Sequence, residues 1–142
     1  MNTTGTEQTW HLDWNATPKA RWDRFMAEAG AALQQDWAFG TAMEAHGSGL
    51  LRVEVRRPPT SQPKGVGSKR RSLRPGKTVA MAQFTVRDVA GLAHWALCTR
   101  GPVWAADVSA DERAAIFRAM KREAPLRRVR AMFFTPDVAP GT

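Results

Sequence analysis

Residues 78–86, TVAMAQFTV, are apolar on both faces of a period-two pattern, with Val79 and Met81 on one side and Ala80, Ala82, Phe84 and Val86 on the other. A strand with one solvated face alternates apolar with polar side chains, so this pattern predicts a central strand covered on both faces. Asp88–Gly91 supplies turn residues, and Leu92–Thr99 (LAHWALCT) reads as the next strand of a hairpin. Upstream, Leu51, Val53 and Val55 alternate with Arg52 and Glu54, which predicts a strand with one exposed face. Together the three predict an antiparallel meander.

Helices flank this unit in the sequence. Trp10–Trp14 (WHLDW) alternates as a short strand, and Thr17-Pro18 then predicts an N-cap with proline at the first helical position. Trp22, Phe25, Met26 and Ala29 form one apolar stripe, which Gly30 ends. A second helix is predicted over Ala32–Ala45, stopping before His46-Gly47; its interior Gly40 weakens it unless something packs closely there. Ser109 with Glu112 forms a capping box, opening a helix with Ala115, Ile116, Ala119 and Met120 on one face and Pro125 as its stop. Val129–Thr135 is the last predicted strand. The order β-α-α-β-β-β-α-β predicts an α/β sandwich of one mixed sheet with helices on its faces.

The chain of 142 residues is long enough for one domain with a core that needs neither disulfides nor a structural metal. The single cysteine, Cys98, excludes an internal disulfide and a multi-cysteine zinc site. No metal site is expected. The longest apolar stretch, Val89–Thr99, is too short to cross a bilayer, and the N-terminus lacks a secretory leader pattern, so the expected location is cytoplasmic. The net charge of +8 has a local source: residues 56–77 hold eight basic residues and no acid, leaving 13 basic against 13 acidic elsewhere. Four prolines, three glycines and three serines in that segment predict a flexible insertion within a single domain spanning 10–136. Residues 1–9 and 137–142 are expected to be a disordered N-terminus and a tail.

The segment LQQDWAFGTAMEAHG (Leu33–Gly47), followed downstream by VAMAQFTVR and by TRGPVW (Thr99–Trp104), resembles the N-terminal part of Fem-type peptidoglycan-bridge aminoacyltransferases of the GNAT superfamily. The matching positions are Leu33, Gln34 or Gln35, Trp37, Phe39, Gly40, Glu44, Gly47 and the tetrad Arg100-Gly101-Pro102-Val103. The resemblance implies a partial GNAT-like sandwich that transfers an acyl or aminoacyl group to the amine of a peptide, amino sugar or amino acid. Acyl-CoA or aminoacyl-tRNA would be the donor, and no cofactor is expected to be held tightly. The glycine-rich pyrophosphate loop of coenzyme-A-binding members is absent, since Arg100–Val103 carries one glycine. The sheet of a complete GNAT fold continues beyond the last predicted strand. The chain is therefore expected to act as an acceptor-binding half that pairs with a second GNAT-like half or a second copy, or to be a divergent domain.

On this resemblance Gln35 and Trp37 line an acceptor groove and Arg100 binds a carboxylate or phosphate there, with Gln83 and Trp104 as further groove residues. Each also has a structural reading: Trp37 and Trp104 as packing anchors, Gln35 as a solvated helix residue, Arg100 paired with Asp36 or Asp107, and Gln83 bonded within the sheet. His11, His46 and His94 stand singly, and Cys98 on a strand reads as a small hydrophobe. No general base is legible. A reading from another class makes the chain a non-catalytic module that docks its basic segment on nucleic acid, tRNA included, or on an acidic partner. The segment contains no aromatic residue to stack on bases.

Overall fold

The computed structural model describes residues 9–59 and 76–136. Their elements run β1 (His11–Trp14), α1 (Lys19–Ala29), α2 (Trp37–Ala45), β2 (Gly49–Arg56), β3 (Thr78–Val89), β4 (Ala93–Thr99), β5 (Val103–Trp104), α3 (Ala110–Glu123) and β6 (Val129–Thr135). The strands form one mixed sheet in the order β1-β2-β3-β4-β6, with β5 beside β3. All pairs are antiparallel except β4 with β6, which α3 connects as a crossover. This is the predicted α/β sandwich, and β2-β3-β4 is the predicted meander. The expectations for residues 1–8, 60–75 and 137–142 lie outside the described residues.

The helices divide the core between the two faces. Ile116 and Met120 of α3 pack with Val53, Val55, Ala82 and Phe84, with Trp14 of β1 and with Trp10 just before it. Trp22 and Met26 of α1 pack on Met81 and Val103 on the other face. Gly30 ends α1 in the left-handed conformation, φ 63°, with its N–H bonded back to the last turn. The Ser109–Glu112 capping box forms at the start of α3, satisfying two backbone donors reciprocally.

Four expectations are corrected. Thr17 does not cap α1, because Pro18 holds the N-cap position and the Thr17 hydroxyl donates instead to Glu54. The predicted 32–45 helix is split into a 3-10 turn at Leu33–Gln35 and α2, with Asp36 extended between them. The Arg52/Glu54 face of β2 is not solvated: α1 and α2 lie over it, and Glu54 is fully buried. The ends of the basic insertion are tied down, Arg57 pairing with Glu112 and Asp107, and Lys77 lying 3.9 Å from Asp107.

Candidate functional site

The site grows from an interruption in the sheet. β4 pairs with β3 from Val89↔Ala93 as far as Thr85↔Leu97, and pairing resumes with β5 only at Met81↔Val103. Between them the chain turns through Arg100, which is exposed and left-handed at φ 53°, then Gly101 and Pro102. The backbone N–H and C=O of Gln83 are thereby left without a strand partner, which inside a sheet is costly.

Gln35 fills that gap with its side chain. Its Oε1 accepts from Gln83 N at 2.8 Å, and its Nε2 donates to Gln83 O at 3.3 Å and to Thr99 O at 2.8 Å. The carboxamide thus takes the place of a missing peptide unit, and both of its N–H groups are used. The 3-10 turn is what delivers it, aimed by a bond from Trp22 Nε1 to Gln35 O at 2.9 Å. Gly101 is required here, since a Cβ on it would lie 2.8 Å from both Cys98 Sγ and Gln35 Cδ.

The Gln83 side chain answers in kind. Its Nε2 donates to Asp36 O at 2.9 Å and Gln34 O at 3.3 Å, while its Oε1 accepts from Arg52 Nε at 2.7 Å. The Arg52 guanidinium also donates to Trp37 O at 3.1 Å and lies 3.5 Å from the centroid of the Trp37 ring, a close cation–π contact. Burial lowers the Arg52 pKa from its ordinary value, with Glu44 and Asp23 partly offsetting this. Gly40 of α2 faces the same cluster, where a Cβ would meet Gln83 Oε1 and Arg52 Nη2. The close packing that its position in the helix demanded is therefore present.

The structure thus joins Gln35 with Gln83 and brings Gln35 to Thr99 and Gly101, the residues on either side of Arg100. Trp37 is half-buried and held by Arg52, with its ring edge-on to Trp22. Trp104 does not belong to this cluster. It pairs with Ala80, so its side chain lies on the α3 face, edge-on to Phe117 at 5.5 Å between ring centroids, with the Arg113 guanidinium over it. Asp107, an expected partner of Arg100, is engaged by Arg57 instead.

Two groups were missed in the sequence. Arg52 braces Gln83 and Trp37, and Glu54 next to it on the same face is a buried carboxylate. Glu54 accepts from Thr17, Arg21, Arg56 and Thr78 at 2.6–3.1 Å. Burial pushes its pKa up, but these hydrogen bonds and the Arg56 charge outweigh it and hold the carboxyl below its ordinary value. The one legible signal was the presence of three charged residues at alternate positions, Arg52, Glu54 and Arg56, on a strand that precedes one apolar on both faces. Cys98 is buried, which pushes its thiol pKa up to about 12, so it is no nucleophile at neutral pH. No metal-binding group of His, Cys, Asp or Glu occurs among the described residues.

A mixed sheet with two helices on one face, a crossover helix on the other, and an interrupted strand after the meander defines a Fem-like fold. FemX, a solved structure, shares it with a TM-score of 0.62 and 17% sequence identity over 90% of this chain. The chain spans 28% of the length of FemX. No family model and no curated protein sequence matches the chain.

Proposed function

We propose that the chain is the acceptor-binding unit of a Fem-type transferase, a partial GNAT-like sandwich that holds an amine for acyl or aminoacyl transfer. The observation that carries this reading is the interrupted strand, splinted by Gln35 and turning outward at Arg100, within a fold shared with FemX over 90% of the chain. Amide formation from an activated acyl donor depends mostly on holding the amine against the acyl carbon. The attacking nitrogen forms the new C–N bond, the donor's oxygen or sulfur leaves, and the amine's proton passes to a base or water.

In this reading Arg100 contacts a carboxylate or phosphate on the acceptor, with Trp37 as an apolar wall, while Gln35 and Gln83 hold the turn in place. Acyl-CoA or aminoacyl-tRNA is the donor, the latter steered by the basic segment 56–77. The acceptor is a peptidoglycan-precursor peptide, an amino sugar or an amino acid, and the location is cytoplasmic. A second GNAT-like half or a second copy would add at β6, which pairs only with β4 among the described residues.

Calorimetric titration with a muramyl pentapeptide carrying a free side-chain amine tests the proposal. We expect saturable binding that Arg100→Ala weakens at least tenfold while costing less than about 1 kcal/mol of stability. No binding, or equal binding by the variant, overturns it.

A further inference from the structure

We propose that the end of the sandwich where β4 and β6 begin is a docking surface for an anionic lipid bilayer. The inference is independent of the transferase reading.

Outside the 56–77 segment the chain carries equal numbers of basic and acidic residues, yet the charge is unevenly placed. Residues 118–130 hold Arg118, Lys121, Arg122, Arg127, Arg128 and Arg130 against a single acid, Glu123. That acid accepts a hydrogen bond from Trp14 Nε1. The end of α3, the following turn and β6 bring three of these cations to one open cleft of about 940 Å³, lined by Lys121, Arg128 and Arg130 and by no acidic residue. None of the three forms an ion pair with another described residue.

Two exposed leucines belong to the segments that form the cleft, Leu126 directly after the lining Pro125. Leu92, which lines it, is 84% exposed and Leu126 is 79% exposed, the two highest values for large apolar side chains among the described residues. Both ride on short closed turns. Gly91 N–H bonds to Asp88 Oδ1 and Leu92 N–H to Val89 O, and Arg128 N–H bonds to Pro125 O across Leu126. These bonds fix the backbone that carries each leucine.

A soluble phosphate ligand would use the cations and leave both leucines in water. A bilayer with anionic headgroups uses both: the leucines enter the boundary between headgroups and acyl chains, and the cations meet the phosphates. The surface is separate from the interrupted strand. His94 and Thr99 stand at opposite ends of β4, about 17 Å apart at the usual rise of a strand. A protein bound here would present the Arg100 turn away from the membrane.

Vesicle co-sedimentation of the full chain tests this, with phosphatidylcholine vesicles compared with vesicles also containing phosphatidylglycerol. We expect binding to the anionic vesicles only, lost as salt is raised. Each basic residue near an anionic surface contributes about fivefold, so Lys121→Glu with Arg130→Glu should weaken binding well beyond tenfold. Leu92→Ser with Leu126→Ser should weaken it separately. Circular dichroism and melting of both variants should match the parent, because all four side chains are exposed. Failure of the parent to bind anionic vesicles overturns the proposal, as does unchanged binding by both variants. So does binding that is lost on deleting residues 59–75 but kept by Lys121→Glu with Arg130→Glu. Binding of polyphosphate or an oligonucleotide with no vesicle binding would assign the cleft to a soluble polyanion and equally overturn it.

Discussion

Gln35 and Gln83 exchange hydrogen bonds reciprocally, the side chain of each bonding the backbone at or beside the other. Gln35 spans the unpaired N–H and C=O of Gln83, and Gln83 donates to the carbonyls of Gln34 and Asp36, which flank Gln35. The exchange ties the helical layer to the sheet at the point where the sheet is broken. It also gives the Arg100 turn a fixed base, because the carbonyl of Thr99 is held by the same carboxamide.

The first prediction tests that splint. Gln35→Ala removes a donor and an acceptor that satisfy the buried N–H and C=O of Gln83 and the part-buried carbonyl of Thr99; each buried group costs about 1–3 kcal/mol when left unpaired. We expect a loss of at least about 2 kcal/mol on this basis, read as a fall in the denaturant midpoint. Gln35→Glu should be no milder at neutral pH, since it sets a carboxylate against the carbonyls of Gln83 and Thr99, and lowering the pH should partly restore it. A Gln35→Ala protein as stable as the parent would return Gln35 to the role of a groove residue.

Gly40→Ala should destabilise, against the helix propensity gain of about 1 kcal/mol. The added Cβ would lie 2.3 Å from Gln83 Oε1 and 2.8 Å from Arg52 Nη2, atoms that hydrogen bonds hold in place. Overpacking of this kind costs about 1–3 kcal/mol. Thermal melting decides the sign.

Glu54 makes stability depend on acidity in a defined direction. Its carboxyl is held below the ordinary value in the folded chain, so its contribution is fully present above the unfolded pKa of about 4.3 and is lost as pH falls through the folded value. Glu54→Gln should cost about 3–5 kcal/mol at neutral pH, as expected when one partner of a buried ion pair is removed. The variant's stability should also flatten with pH below about 4.3, where the parent's falls. Parallel pH profiles for the two proteins would show that Glu54 is not the group responsible.

Arg100 and Trp37 should separate function from folding. Trp37→Ala removes a half-buried ring packed against Trp22 and Arg52, with an expected cost above that of Arg100→Ala but below the about 3–5 kcal/mol of a fully buried aromatic, whatever the ligand. Arg100→Ala, at an exposed position, should cost less than about 1 kcal/mol. The pair of melting curves checks this, and it makes Arg100 the variant on which a loss of acceptor binding is informative.

Replacing residues 59–75 by a tight turn should leave stability unchanged or slightly raised, because loop closure changes by only about 0.6 kcal/mol per doubling of length. Arg57 and Gly76-Lys77 must be kept. Arg57 pairs with Glu112, and its backbone bonds to Gly76 and Lys77 extend the β2–β3 ladder. A large drop in melting temperature would show that the removed segment packs on the domain.

Most of the architecture was legible in local pattern. The 129–135 strand, the Ser109–Glu112 cap, the Gly30 stop and the meander follow from periodicities and end signals that act within a few residues of chain. The candidate site was legible only as a list of residue types. Gln35 and Trp37 were read as two neighbours on one helix, whereas the break at Asp36 puts the amide into the sheet and the indole against Arg52. Trp104 was grouped with Gln83, but strand alternation sends the two to opposite faces.

The sequence by itself determined most of the helices and strands and their order, though not the break at Asp36 or the short β5, together with the concentration of positive charge in residues 56–77, because these depend on side-chain periodicity and composition along the chain. Only the tertiary structure decided that β4 breaks from β3 and that Gln35 closes the gap. It also decided that Glu54 is buried and that Leu92 meets Lys121, Arg128 and Arg130 at one cleft. Each of these is a meeting of residues distant in sequence, as with Gln35 and Gln83, 48 residues apart. An unpaired backbone group inside a sheet must find a partner, but local sequence does not specify which side chain will supply it.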